Sequence, residues 1–302
     1  MTATPASTAF TPVLAARLAS DAAAAAGLIP GTPELIRLGS NAVLRLSGGV
    51  VARIARDESW YAVAEREVRV ARELHDAGVP CVRPWPVPQP ISVDGHPVTF
   101  WAEIPGPRRR APIADLGAVL RQLHTVNDTS LRQRLTPLDP WSHTPGRIER
   151  APIRDRDRRV LRDVLDEVQD AWPLAEFDLP NGVIHGDAHA GNLIQDPGGA
   201  PVLLDFDSVC TGPREWDLAP TGLYAVALGW ISRNDYAGFV DAYGGFDITT
   251  APAFPLLARM RELRMTAWLA MHTTESERLA AEVEHRVACL ADPQLPRHWS
   301  AR

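Results

Sequence analysis

At 302 residues the chain can hold one large or two modest domains, each with its own core. Its formal net charge is −6 with both signs mixed along the sequence, whereas nucleic-acid binders carry a basic domain or stripe; that partner class is set aside. The chain has no lysine, so a Walker-type loop is excluded and any phosphate-binding cation has to be an arginine.

The first ten residues read as disordered, and a helix over 11–27 follows, opened by Thr11-Pro12 and closed near Gly27. Its run Ala22–Ala26 lacks the basic leader of a signal peptide, and no segment reads as a membrane span. Cys81, Cys210 and Cys289 are far apart and without CxxC spacing, which fits a reducing compartment. A cytoplasmic protein, monomeric or homodimeric, is expected.

Three β-like runs come next, Leu35–Leu38, Ala42–Leu46 and Val50–Ala55, separated by Gly39-Ser40-Asn41 and by the hairpin turn Ser47-Gly48-Gly49. The spacing then predicts a helix over Trp60–His75, with Val63, Val70, Ala71 and Leu74 on its buried stripe. At about 100° per residue Glu67 falls inside that stripe, while Glu65, Arg66, Arg69, Arg72 and Glu73 face away. After an extended Cys81–Pro90, strands Ile91–Val93 and Val98–Ile104 flank an Asp94-Gly95 turn, and Pro105-Gly106-Pro107 stops the sheet. Arg108–Arg110 reads as a solvated turn. Helices are expected around Ile113–Val126, Asp155–Trp172, Pro220–Ser232 and Tyr236–Tyr243, with a long pair from Phe254 to Leu290. The expected fold class is α+β, a small β-rich lobe over 1–105 followed by a larger, mainly helical lobe over 106–302.

The densest chemistry is "VIHGDAHAGNLI", Val183–Ile194. Behind it, two apolar runs around Asp196-Pro197-Gly198-Gly199 read as a β-hairpin, which brings Asn192 and Asp205 together at its open end. An amide oxygen and a carboxylate suit Mg²⁺, which prefers oxygen ligands and completes its shell with water and substrate phosphates. Asp187, five positions before Asn192, is placed to orient a hydroxyl nucleophile. The run fits H-x-D-x-x-x-x-N with a downstream D-F-x, the spacing of a kinase catalytic loop and its metal-binding aspartate.

On "HGDAHAGN" and "LLDFDSVCTGPREWDLA" the chain resembles the aminoglycoside phosphotransferase and choline kinase family, the small-molecule branch of the protein-kinase-like bilobal fold. The resemblance runs from about Leu35 to the C-terminal helices. It implies ATP- or GTP-dependent phosphorylation of a small-molecule hydroxyl on an antibiotic, sugar or amino alcohol, with Asp187 as base and Asn192 and Asp205 on Mg²⁺. It also implies that Arg53 in "VVARIA" takes the phosphate-binding place that is a lysine in many kinases, with Glu67 as its partner. Ser40 and Asn41 then lie in the loop over the nucleotide, Glu103 and Ile104 at the seam that receives it, and Asp217 braces the catalytic loop. The residues alone allow a plainer reading of Arg53 and Glu67, a salt bridge between sheet and helix, since each is costly to bury unpaired.

Two other functions compete. His185, Asp187 and His189 could form an H-x-D-x-H metal-hydrolase cluster. A catalytically silent nucleotide-binding module is the second alternative, although base, metal ligands, cation and helix Glu are all present. His185 is expected to shape its loop, and His189 to be an exposed imidazole without a role. A protein kinase fits poorly, because only Phe206–Arg214 separates Asp205 from "EWDLA", too little for a peptide-binding activation segment. A polycationic acceptor should favour an acidic cleft, yet acids and arginines nearly balance from Thr221 onward. Trp216, Tyr224, Trp230, Trp268 and His272 are candidate pocket aromatics.

Overall fold

Thr11 accepts a hydrogen bond from the backbone N–H of Leu14 at 3.2 Å and Pro12 sits in the first turn, so the first helix starts where the sequence predicts. The computed structural model describes residues 10–300. The disorder expected for residues 1–9 lies outside the described residues, whereas Phe10 stacks on His96 with ring centroids 5.6 Å apart.

In chain order the first elements are α1 (Pro12–Ala25), β1 (Glu34–Leu38), β2 (Ala42–Leu46), β3 (Val50–Ile54), α2 (Tyr61–Asp76), β4 (Ile91–Val93), β5 (His96–Ala102) and β6 (Arg109–Arg110). There follow α3 (Ile113–His124), α4 (Thr129–Arg134), α5 (Thr144–Arg150), α6 (Asp155–Ala171), β7 (Asn181–Ile184), β8 (Leu193–Gln195), β9 (Pro201–Leu203) and β10 (Cys210–Pro213). The last are α7 (Glu215–Val226), α8 (Arg233–Tyr243), α9 (Phe254–Ala270) and α10 (Glu277–Ala291).

The chain divides into two compact units, one up to Ala111 together with Gly191–Ser208, the other Pro112–Ala190 together with Val209 onward. The expected division at 105/106 falls six residues before the end of the first stretch at Ala111. Arg109 and Arg110 are exposed, as expected, but extended rather than a turn: they pair as β6 with Gln195 and Ile194 of β8, in the same unit as the β8–β9 hairpin.

The first unit is built on an antiparallel sheet ordered β1-β2-β3-β5-β4. Side chains alternate across it, so Ala52 and Ile54 of β3 join Leu44, Val98 and Phe100 in a core sealed by Leu18, Ala19 and Ala22 of α1. The small side chains of α1 let its backbone lie close on the strands. Arg53, between Ala52 and Ile54, points to the opposite face, where Glu67 of α2 meets it. As the sequence pattern requires, Glu67 is buried with Val68, Val70, Ala71 and Leu74. On the other side of α2, Arg66 and Glu73 are half-buried rather than exposed, and the Arg66 guanidinium reaches back to the carbonyl of Asp207.

In the second unit α3 packs along α8 so closely that a Cβ at Gly117 would lie 2.4 Å from the carbonyl oxygen of Phe239. β7 and β10 form an antiparallel ribbon with Ile184 opposite Cys210, and α7, α9, α6 and α10 pack around one another. The helix expected to open at Pro220 begins instead at Glu215 and keeps Pro220 inside it. That proline removes an intrahelical bond; tertiary bonds hold the turn before it, with Trp216 Nε1 donating to the Gly186 carbonyl at 2.9 Å. No helix of the described residues is long and apolar enough to cross a membrane.

Candidate active site

In the first unit the polar residues gather on Arg53. Its NH1 donates to Glu67 Oε1, and its NH2 lies 3.5 Å from Asp205 Oδ1. With its amide oxygen turned to the guanidinium, Asn41 accepts from Nε and NH2, both at 3.0 Å. The fork is thus aimed by three residues from three different segments, and one N–H of NH1 is left for a further acceptor. Burial opposes the charge on Arg53, but Glu67, Asp205 and Asp207 outweigh it and raise its pKa. Burial pushes the Glu67 carboxyl up to about 7, with Asp205 and Asp207 adding to the rise and Arg53 opposing it. Glu67 is 5 % exposed at its side chain, so the dominance of burial is physically reasonable.

Asn192 and Asp205 do meet at the end of a hairpin. Leu193 pairs with Leu203, Ile194 with Val202, and one step further Leu204 N–H donates to the Asn192 carbonyl at 2.9 Å. Asp205 then turns out of the strand with φ +68, a left-handed conformation that aspartate tolerates better than most residues. Its side chain is 44 % exposed. The amide and carboxylate at this end supply only oxygen donors, a set that fits a hard divalent cation. Of the other nucleotide-binding candidates, Ser40 is exposed, Ile104 is half-buried, and Glu103 is engaged: its carboxylate accepts from Arg45 Nε at 2.5 Å and its N–H donates to the Gly49 carbonyl at 2.8 Å.

In the second unit Asp217 braces the loop after β7. This fully buried carboxylate accepts from His185 N–H at 2.6 Å and Gly186 N–H at 2.9 Å, and its Oδ2 lies 3.0 Å from His124 Nε2. His185 is buried, and its Nδ1 lies 3.4 Å from the Asp187 N–H. Gly186, with φ +83, makes the left-handed turn that presents Asp187. Arg261 of α9 donates from NH1 to Asp187 Oδ1 at 2.8 Å, and His189 Nε2 is 3.7 Å from Oδ2. His189 is therefore no bystander. Burial alone would raise the pKa of Asp187; His189 and Arg261 outweigh it and hold the carboxyl well below its usual range. Among the described residues, no three His, Cys, Asp or Glu are placed to hold a metal ion, so His185, Asp187 and His189 do not make a hydrolase cluster.

Sequence reasoning missed the arginines around Asp187. Arg261 is locked by the Tyr224 hydroxyl, which accepts from Nε at 3.1 Å and from NH2 at 2.8 Å. Arg264, one turn on, lies over the Trp216 ring at 5.1 Å and donates to the Pro140 carbonyl at 3.2 Å. The i, i+3 spacing of Arg261 and Arg264 was the available signal. Of the candidate aromatics, Trp216 lines the hollow beside Asp187, whereas Trp230 donates to the Trp299 carbonyl and Trp268 lies tilted against His272.

The chain is similar to several known proteins. A homoserine kinase of Gluconacetobacter diazotrophicus is 29 % identical over 201 residues, and one of Pseudomonas aeruginosa 26 % identical over 222. These matches cover 60 % and 70 % of this chain, and span about three-fifths of the relatives' own lengths, 60 % and 59 %. Among solved structures, a spectinomycin phosphotransferase in complex with ADP and spectinomycin superposes with a TM-score of 0.67 at 15 % identity, covering 96 % of each chain. A choline/ethanolamine kinase family protein from Mesorhizobium loti gives 0.61 at 20 % identity, covering 92 % of this chain and 93 % of its own. These likenesses establish the protein-kinase-like fold. The phosphotransferase enzyme family (APH) matches residues 36–263, three-quarters of the chain, and the protein belongs to that family.

Proposed function

We propose that the protein transfers the γ-phosphoryl group of ATP to a hydroxyl of a small molecule. The observation that carries this reading is Asp187, an ionised carboxylate on a loop held by Asp217 and followed directly by the hairpin bearing Asn192 and Asp205. The acceptor oxygen bonds to the γ-phosphorus, the bond from that phosphorus to the bridging oxygen breaks, and ADP leaves. The hydroxyl proton passes to Asp187. A carboxylate held at low pKa is a weak base, which suits a loose transition state in which orientation matters more than early proton removal.

Asn192 and Asp205 are the residues that would hold Mg²⁺, which neutralises charge on the phosphates when bound. Arg53, aimed by Glu67 and Asn41, is assigned to the phosphate oxygens, with Ser40, Glu103 and Ile104 contributing to the nucleotide site. Support comes from relatives named homoserine kinase and from a fold neighbour, an amicoumacin kinase, solved with AMP-PNP and Ca²⁺. GTP is the alternative donor, since another neighbour was solved with GDP and kanamycin.

The test is nucleotide-dependent ADP release against a panel of hydroxyl compounds: homoserine, choline, sugars and antibiotics. With the best acceptor, Asp187→Asn is expected to lower kcat by ~10²–10⁴ while nucleotide affinity survives. Turnover at the wild-type rate in that variant would remove Asp187 from the reaction.

A further inference from the structure

The hollow beside Asp187 is lined by the apolar Ala188, Ala219, Pro220, Leu257 and Met260 together with Trp216, Arg261 and Arg264. Its empty space of about 320 Å³ includes open solvent, so the hollow is a shallow recess in the surface beside Asp187. The charges around it do not balance. Arg261 is matched by Asp187, but Arg264 has no carboxylate within ion-pairing distance among the described residues; its contacts are a carbonyl and an indole face. Arg147 of α5 adds a third guanidinium, again without an ion-pair partner among the described residues, near enough to feel Asp187 and to repel Arg264. The other acid acting on Arg264 is Asp139, an exposed residue whose Oδ1 already accepts from Trp141 N–H at 3.0 Å.

A half-buried cation with no carboxylate in ion-pairing contact is costly, and here burial and then repulsion from Arg261 and Arg147 push Arg264 down to about 10 against the pull of Asp187 and Asp139. An anionic group on the ligand would relieve that cost. We infer that the phosphoryl acceptor is a small hydroxyl compound carrying a carboxylate, with Arg264, assisted by Arg147, as the residue that recognises the acid. This rests on the kinase reading above and narrows it. The apolar side chains accommodate the carbon chain, the hydroxyl lies at Asp187, and the carboxylate lies at Arg264. The reaction is unchanged: the acceptor oxygen gains the phosphoryl group, its proton goes to Asp187, and the nucleoside diphosphate departs. A cationic amino alcohol or polyamine antibiotic would bring like charge to the same arginines.

The test compares matched acceptors with the intact wild-type protein: L-homoserine, its amide, choline and glycerol 3-phosphate, with ADP release as the readout. The carboxylate compound is expected to exceed its amide by about 10- to 100-fold in kcat/KM, the range for a charged hydrogen bond. Arg264→Gln should collapse that ratio towards one, and Arg147→Gln should reduce it. Because a substituted α9 could misfold, dead-end inhibition of the wild type gives an independent measure. L-2-aminobutyrate, which lacks the hydroxyl, should compete with the acceptor about 10- to 100-fold better than its amide. Preference for the amide, for choline or for the phosphate ester would overturn the inference while leaving the kinase reading in place. Turnover of no hydroxyl compound in the wider panel would overturn both.

Discussion

Arg261 reaches Asp187 through NH1 and is itself gripped from behind by the hydroxyl of Tyr224, so the carboxylate proposed to activate the acceptor is aimed by a residue of a distant helix. Replacing Arg261 with Gln removes the charge that helps depress Asp187. The carboxyl is depressed in the wild type, so it stays ionised above its unfolded value of 3.8, and no acidic limb from it should appear near neutrality. In Arg261→Gln the limb should move up in pH, and kcat should fall ~10–100-fold through misaiming. A pH profile of kcat/KM superimposable on the wild type would make Arg261 a packing residue only.

The Arg53–Glu67 contact separates a nucleotide role from a sheet-to-helix staple. Arg53→Met should raise the KM for ATP even where stability survives, and Glu67→Gln should do so more mildly. A double-mutant cycle on ATP affinity should give a coupling of roughly 0.5–3 kcal/mol. Arg53→Lys keeps the charge but loses the fork that Asn41 and Glu67 align, so partial activity is expected. Unchanged ATP kinetics in folded Arg53→Met would leave the pair a structural role alone.

Glu67 also makes stability depend on pH in an unusual direction for a carboxylate. Its folded pKa, about 7, lies above the unfolded 4.5, so the native state binds this proton more tightly. The associated stability is fully present below pH 4.5 and is lost as pH rises through 7; a shift of this size is on the order of 3 kcal/mol. Urea titrations of the metal-free protein between pH 5 and pH 8, a range of roughly 3 units around that value, should show the decline, and Glu67→Gln should flatten it. The same slope in both proteins would assign it to other groups.

Asp205→Ala should abolish Mg²⁺-dependent ATP binding, and Asn192→Ala should weaken it less, because the first removes a full charge and the second only a dipole. Titrating ATP with and without Mg²⁺ into each variant measures this. Equal, unimpaired affinity would take both residues out of the metal site.

Much of this was legible because side-chain period and turn chemistry are local. Glu67 stood out by falling within an apolar stripe, and the Asp196–Gly199 turn placed Asn192 and Asp205 at one end of a hairpin. What was missed depends on contacts distant in sequence. The arginines of α9 belong to a helix with charges on several faces, so no stripe singles out Arg261, and only the fold shows that it meets Asp187. α4 and α5 are too short to develop a stripe. Pro220 misdirected the start of α7 because the bonds that hold its first turn come from the loop after β7. His189 looked idle for the same reason: its partner is fixed by the turn at Gly186, not by a pattern of residues.

The first unit is not one stretch of polypeptide. Its β8–β9 hairpin is made long after β6, yet β6 pairs with β8, and Leu203 exchanges backbone hydrogen bonds with Pro80 and Val82. During synthesis the chain up to Ala111 therefore emerges with these backbone groups unpaired and waits for Ser208 before the unit can close. A truncated gene product ending near Ala111 would expose the edge it needs to cover. The smallest segment able to complete the first unit must run through the loop that carries Asp187, so the two halves of the proposed chemistry are inherited together.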